Sequence, residues 1–551
     1  LKNIKVLFFL GVNDNCIPKA KGAPGLLTER ERERMEKEGV TLAPDAEKES
    51  YNEQFCLYLA LTKASEQVVL TYSVMTSKGE SKRPSYLINR VKQVFPKLVV
   101  EKEESDTSYE KIMGSDKGKS YLISHLADGT YAKDVIWWEI ASHYEKKTPG
   151  ILKDLLRIRE KRAGNNSLKK EAAKRLFGDV LYGSVTRFEQ YVQCPFAFFS
   201  HYGLLLNERQ QYEISSLDHG NLFHQAMEHL SHELEQRNKN WQDLSEEEAV
   251  LLAAECVDAV AERYQGRKYF QSNRVSFMLK RLKNEVVHSV WAMWHQMQEG
   301  DFVQTYTEKG FRGNDKEWES MCIPFDEDAK ICLNGVIDRV DLCSLPGEEL
   351  IKVIDYKSSD SQDLSLAKVY YGLQMQLLTY LEAAKEMVEK EHKGKEAVPA
   401  AMLYYAIKEK NLDWKPESEE EYEKRVLDSM KCKGYVNEKP EIIGHLDKSV
   451  VNGGELIPGQ KSGVVPVAVD KKGLLKKNSR TLSTKDFETL IAHTKEKMKE
   501  CGKAILDGKI EAIPYVYEDN DGCTYCPYGS VCGHESKKDG VREMKKMSDD
   551  E

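Results

Sequence analysis

Four things are missing from this 551-residue chain, and each narrows what it does. No apolar run approaches the roughly 20 residues that cross a bilayer. The longest candidates, residues 4–12 and 397–407, read as buried strands, so no membrane partner is expected. A secretory leader is absent, and a cytoplasmic location is predicted. Internal repeats are absent too. Finally, positive charge is not in excess: Lys and Arg total 81 against 90 Asp and Glu, a net charge of −9. That argues against a surface that attracts nucleic acid all over, and leaves room for a local basic channel or for a partner that shares the grip.

What is present describes a globular protein. Hydrophobic residues make up 40% and charged residues 31%. The length predicts two or three domains. The chain opens on Leu1 and enters a core-type strand at once, which predicts a piece of a longer protein.

Residues 1–165 form a first region of alternating strand and helix signals, an α/β layer. Strands are predicted over 5–10 and 67–73. Helices are predicted over 28–39 (capped by Thr28), over 53–64 and from Pro84-Ser85 onward. Residues 101–118 read as a polar loop. Residues 166–181 read as a linker behind the small polar cluster at 163–167. A second domain spans 182–535, with a helical stretch over 221–300, a strand-rich core over 317–356, a helix over 364–391, a strand over 400–407 and a helix over 484–506. Residues 409–473 carry no functional signal. Residues 536–551 read as a charged, mobile tail.

Two segments carry chemistry. Gly335-Val336-Ile337-Asp338-Arg339-Val340-Asp341 and Val353-Ile354-Asp355-Tyr356-Lys357 read as the ends of neighbouring strands, over 331–340 and 351–356. Two carboxylates brought close repel unless a cation lies between them. Mg²⁺ takes oxygen ligands, polarises a phosphodiester and acidifies a bound water. Lys357 lies two residues past Asp355 and shares its strand face, where it would orient the water or stabilise developing charge. The plain alternative is a surface salt bridge, but an unpaired charge at the end of a buried strand is costly. The two segments resemble the RecB-type branch of the PD-(D/E)XK nucleases, whose pattern is Gly-x-Ile-Asp-Arg followed by Ile-Asp-Tyr-Lys.

That resemblance assigns further roles. It makes His224, within Gly220-Asn221-Leu222-Phe223-His224, a third metal ligand beside Asp338 and Asp355. It makes Gln376 and Tyr380, four residues apart on one helix face, support for the active site and the DNA backbone, completing a catalytic set with Asp338, Asp355 and Lys357. Asp341 reads as structural or as a support of the metal ligands.

Twelve cysteines are present. Eight are scattered (Cys16, Cys56, Cys256, Cys322, Cys332, Cys343, Cys432 and Cys501) and read as plain core thiols. The other four open and close the second domain: Cys194 before a proline, then Cys523, Cys526 and Cys532. Four thiolates suit zinc or an iron–sulfur cluster equally. The resemblance implies a [4Fe–4S] cluster, because iron–sulfur versions of RecB-type nucleases hold theirs with one cysteine before the core and three after it. Closing so long a loop removes denatured-state entropy worth about 5 kcal/mol.

The first region resembles the end of a superfamily-1 helicase core, through Phe9-Leu10-Gly11-Val12-Asn13-Asp14, Leu57-Tyr58-Leu59-Ala60-Leu61-Thr62-Lys63-Ala64, Gly79 and Pro84-Ser85. Lys63 stands where working helicases carry an arginine on the nucleotide phosphates, and lysine cannot copy that planar fork. Gly114-Ser115-Asp116-Lys117-Gly118-Lys119-Ser120 has the wrong spacing for a phosphate loop and follows no strand. ATP would therefore enter only upstream of Leu1 or through a partner.

A degenerate helicase end followed by such a nuclease resembles the AddB (RexB) family, subunits of the bacterial AddAB helicase–nucleases. The expected fold class is α/β: a helicase-like end, then a restriction-endonuclease-like domain with a mixed sheet flanked by helices and an iron–sulfur staple. The resemblance implies a heterodimer with an AddA-type helicase and nuclease, acting on single- and double-stranded DNA ends in recombinational repair and cutting the 5′-ended strand. A stand-alone iron–sulfur nuclease and a non-catalytic end-binding scaffold are the alternatives.

Overall fold

The structure, a computed structural model, describes residues 4–14, 16–17, 34–35, 37–40, 46–75, 81–101, 115–128, 130–162, 167–207, 216–265, 273–312, 318–357, 363–407, 418–518, 520–534 and 540–547. It divides into two compact units, Leu1–Arg159 and Glu160–Glu551.

In the first unit, β1 (Ile4–Phe9) and β2 (Ala64–Leu70) pair in parallel, with the helix Ala46–Leu61 between them in sequence. A parallel pair needs such a crossover. Asn13, buried just past β1, ties two later segments together. Its amide donates to the carbonyls of Ser73 (2.7 Å) and Arg83 (3.0 Å), and its Oδ1 accepts from the Ser73 N–H (3.1 Å). The helix Tyr86–Val94 starts where Pro84-Ser85 predicts, with the Ser85 side chain accepting from the Leu87 N–H. The expected Thr28 cap, and the helix behind it as far as residue 33, lie outside the described residues. So does most of the expected loop, but from Ser115 to Asp128 the chain is helical. Lys117–Ser120 therefore sit within a helix rather than in a phosphate-cradling loop. Leu122, Leu126, Trp137, Ala141 and Tyr144 close a small helical core.

The second unit is built on a six-stranded mixed sheet in the order β13-β10-β9-β8-β7-β4. Its strands are β4 (Val303–Gly310), β7 (Val336–Ser344), β8 (Glu348–Lys357), β9 (Glu396–Ala406), β10 (Lys433–Asn437) and β13 (Thr481–Leu482). The β7–β8 hairpin is antiparallel and β8–β9 is parallel. β8 is apolar on both faces because both are covered. Leu350, Ile354 and Tyr356 enter one core, with the helices Ser216–Gln236, Glu246–Gln265 and Asn273–Gln298. Ile351 and Val353 enter the other, with the helices Gln376–Glu391 and Thr484–Leu506. The described part of the stretch 409–473, from Ser418 on, joins the first of these cores through Ile442, Ile443, Leu446 and Val450. It also carries a short hairpin, β11 (Val451–Asn452) with β12 (Glu455–Leu456). No helix among the described residues is long and apolar enough to cross a membrane.

Four further sequence expectations change. The strand read over 331–340 is two strands. β6 (Lys330–Leu333) belongs to a separate sheet with β3 (Val180–Gly183) and β5 (Met321–Pro324), and β7 starts afresh at Val336. The break falls at Gly335, where a Cβ would lie 2.7 Å from the Phe311 ring and 3.4 Å from the Tyr380 ring. The expected linker, residues 166–181, holds in its described part, from Ser167 on, the helix Lys170–Phe177, whose Ala173 is fully buried, so that part belongs to the second unit. Cys322 and Cys332, read as plain thiols, sit opposite each other on β5 and β6 and form a disulfide. Directly opposed strand positions bring side chains within bonding reach. Part of the expected mobile tail is docked: β16 (Arg542–Glu543) pairs with β14 (Tyr515–Tyr517) beside β15 (Asn520–Asp521). The Arg542 guanidinium donates to the carbonyls of Val192, Gln193 and Ile513.

Candidate active site

Asp338 lies on β7, and Asp355 and Lys357 close β8. The strand pairing sets these residues side by side at one edge of the two cores. Asp338 is 8% exposed and Asp355 2%. Asp338 Oδ2 accepts from the Tyr356 backbone N–H at 2.6 Å, which locks the carboxylate against the neighbouring strand. Burial first, and the adjacent Asp355 second, push the Asp338 carboxyl well above the usual carboxylate range. Burial also raises Asp355, against the pull of Lys357. Two buried acids that disfavour their own charge are what a cation between them would relieve.

His224 comes from the helix Ser216–Gln236, whose apolar residues Leu222, Phe223, Ala226 and Met227 face the first core. Its Nδ1 lies 3.7 Å from Asp338 Oδ1 and 2.7 Å from Oε1 of Glu308, a residue the sequence did not single out. Burial works against a charged imidazole here, but the Glu308 hydrogen bond and Asp338 outweigh it and raise His224 above its ordinary value. Glu308 lies on β4, and the flanking pairs Thr307–Arg339 and Lys309–Ile337 put it across from Asp338. Its φ is +46°. A non-glycine residue in that region inside a strand carries strain of about 1–2 kcal/mol, and such strain concentrates at functional sites. His224, Glu308 and Asp338 each offer a ligand atom, all within 4.8 Å of one another, and are the one such group among the described residues. Asp355 stands beside this set, paired with Lys357 Nζ at 2.5 Å.

Lys357 Nζ donates to Gln376 Oε1 at 2.9 Å, and Gln376 Nε2 donates to the Tyr380 hydroxyl at 2.9 Å. The Gln376–Tyr380 spacing thus places both on the face that meets the lysine. Arg339, next to Asp338, points the other way. It is fully buried and grips Asp341 with two hydrogen bonds of 2.7 and 3.0 Å, while Lys352 Nζ lies 2.8 Å from the same carboxylate. Asp341 is therefore a structural anchor, one of the two roles its place in the pattern leaves open.

The four patterned cysteines come from opposite ends of the unit. Cys194 is buried at the end of the helix Val185–Gln193, in a small core with Ala197 and Tyr528, against which Phe196, Leu206 and Cys526 pack. The Tyr528 hydroxyl donates to the Leu206 carbonyl at 3.1 Å and lies 2.9 Å from His201 Nδ1. Asp521 Oδ1 accepts from the N–H groups of Cys523 (3.0 Å) and Thr524 (2.6 Å). Burial, Asp521 and the other three cysteines push the Cys523 thiol up to about 11. All four thiols are free of disulfides.

The profile of the PD-(D/E)XK nuclease superfamily matches residues 183–533. Over its full length the chain is 34% identical to the B-type subunit of the ATP-dependent helicase/deoxyribonuclease of Lachnoclostridium phytofermentans, covering 47% of that protein. Over 98% of its length it is 32% identical to the protein of the same name from Clostridium perfringens (strain 13) and 30% identical to that of Thermoanaerobacter sp. (strain X514), covering 47% of each. The chain thus spans about half the length of the curated relatives it matches. A match over well more than half of the chain settles its family: it belongs to the PD-(D/E)XK nuclease superfamily.

Proposed function

We propose that this chain carries the deoxyribonuclease centre of a two-subunit, ATP-dependent helicase–nuclease that processes double-strand DNA ends for homologous recombination, and that it cuts the 5′-ended strand. The observation that carries the reading is the convergence of His224, Glu308 and Asp338 within 4.8 Å, with the Asp355–Lys357 pair beside them. A salt-bridge scaffold gains nothing from burying this many acids around one imidazole.

An imidazole with several carboxylate oxygens suits a hard divalent ion such as Mg²⁺. His224, Glu308, Asp338 and Asp355 would hold it. When bound, such an ion polarises the phosphodiester and eases deprotonation of a water. Lys357 does the rest from the protein side. Its ammonium, steadied by Asp355 and Gln376, presents a donor at the strand end, where it orients the attacking water and balances charge that builds on phosphate oxygens. Tyr380 holds the Gln376 amide in its donor–acceptor sense, so that its oxygen faces Lys357.

Cys194, Cys523, Cys526 and Cys532 would hold a [4Fe–4S] cluster, the group that the resemblance to iron–sulfur RecB-type nucleases implies over zinc. Cys194, Cys526 and Cys532 all bear on the Cys523 thiol, and Cys526 packs against the small core that holds Cys194. When bound, the cluster would act as a staple joining the two ends of the nuclease unit. The partner is a helicase subunit of the AddA type, and ATP enters through that partner or through residues upstream of Leu1. The name shared by the relatives supports this assignment.

The test is cleavage by the full-length protein in complex with its helicase partner, on duplex DNA labelled on the 5′-ended strand. Asp338→Ala is expected to abolish Mg²⁺-dependent cutting of that strand. An unchanged cutting pattern would leave only the end-binding scaffold. Anaerobically purified protein is expected to be brown, with absorbance near roughly 400 nm.

A further inference from the structure

We infer that Glu189 is the positioning residue that sets Lys357, acting from the cysteine-bearing segment through the first turn of the helix Gln376–Glu391. The inference rests on the nuclease reading above and names a part of its machinery that no motif assigns.

The helix Gln376–Glu391 begins without a cap of its own. Met375, at the N-cap position, makes no side-chain capping bond. The first N–H groups of a helix have no partner within it and must find one elsewhere. Glu189 supplies it from 186 residues away in sequence. Its Oε1 accepts from the Met375 N–H at 2.6 Å and from the Gln376 N–H at 3.1 Å. A carboxylate at the positive end of a helix is also favoured by the helix dipole.

What this cap fixes is Gln376 itself. That residue is the first of its helix, and its side-chain oxygen receives the Lys357 ammonium at 2.9 Å. Lys357 has two anchors, Asp355 on its own strand and Gln376 on the helix. The first cannot fix the ammonium in space alone, because a four-carbon stem pivots. Gln376 gives the second point, and Glu189 holds the backbone from which Gln376 hangs.

Glu189 stands on the helix Val185–Gln193, whose C-cap residue is Cys194. Arg542 grips the carbonyls of Val192 and Gln193 at the end of that helix. One short helix therefore carries a cysteine of the clamp at its end and the support of the catalytic lysine in its middle. A capping acid that served only fold stability had no need to sit on the residue that holds the lysine.

The experiment uses the full-length complex with its helicase partner and reads two quantities separately: DNA affinity, and the single-turnover cutting rate of the 5′-ended strand at saturating DNA and Mg²⁺. Glu189→Ala is expected to slow cutting by about tenfold or more, as misplacement of a catalytic group does, with DNA affinity within about twofold. Glu189→Gln keeps an acceptor oxygen and is expected to restore the rate to within about threefold. In a Gln376→Ala background, Glu189→Ala is expected to add almost no further slowing, because residues acting through one contact are not additive. A wild-type rate in Glu189→Ala, or losses that multiply in the double variant, would overturn the positioning role. If the alanine variant does not fold, Glu189→Asp, which withdraws the acceptor by one methylene, takes its place with the same outcomes. Asp338→Ala is measured alongside. If it cuts normally, the nuclease reading itself falls; if it is inactive, the Glu189 result stands alone.

Discussion

Glu308 Oε1 lies 2.7 Å from His224 Nδ1, across 84 residues of sequence, and reaches it from a backbone held at a φ of +46°. The strand gives up favourable geometry to aim that carboxylate. Glu308→Gly is therefore expected to remove the strain and leave thermal stability unchanged or raised by up to about 1 kcal/mol, while Mg²⁺ affinity falls by about tenfold or more. Melting without metal, and metal titration of cleavage, measure the two effects. A variant that keeps full metal affinity would remove Glu308 from the ligand set.

Lys357→Ala removes the ammonium that faces Asp355 and Gln376. Loss of a donor aimed at developing charge typically costs about 10²–10³ in rate. The expected result is a slowed chemical step with DNA affinity nearly kept, read by single-turnover kinetics. A loss confined to DNA affinity would make Lys357 a DNA-binding residue instead.

Asp341 is completely buried between Arg339 and Lys352. Asp341→Ala leaves two cations buried without their partner and is expected to cost about 3–5 kcal/mol in denaturant unfolding. Replacing all three residues by apolar ones of similar volume is expected to cost far less. Burial opposes the charge of Asp341, yet Arg339 and Lys352 hold its carboxyl below the usual range. A carboxyl depressed by folding contributes stability above its unfolded value near about 3.9, and that stability is lost as pH falls through the lower folded value. This contribution should therefore survive mild acid and vanish only below about pH 4.

Cys526→Ala is expected to destabilise the nuclease unit and weaken DNA binding more than it alters metal-ion dependence. The loop from Cys194 to Cys523 is long enough for its closure to contribute about 5 kcal/mol. Thermal melting, DNA affinity and the Mg²⁺ dependence of cleavage separate these effects. Normal melting and affinity in this variant would remove the staple.

Part of the site is marked by local pattern. Asp338, Asp355 and Lys357 stand in short apolar strands, where a charge is conspicuous, and the four-residue step from Gln376 to Tyr380 is already a helix face. The helix Thr484–Leu506 follows from its period and its Ser483 cap. Glu308 and Glu189 carry no such mark. Each is one acidic residue among 90 Asp and Glu, in ordinary surroundings. Cys322 and Cys332 look like any two thiols until β5 and β6 pair. The break at Gly335 is invisible until the Phe311 ring packs on it.

The chain's own letters decide which residues are chemically able to act, because side-chain type, strand alternation and helical period are local properties. They mark the strand-end acids, the lysine and the clustered cysteines as candidates, whereas His224 stands out only through its likeness to the RecB-type pattern. Partnership is not local. That Glu308 reaches His224 depends on the register of β4 against β7, and that Glu189 supports Lys357 depends on one helix docking against the start of another. Those are contacts between residues tens to hundreds of positions apart, and only the packing of two cores around one sheet brings them within hydrogen-bonding distance.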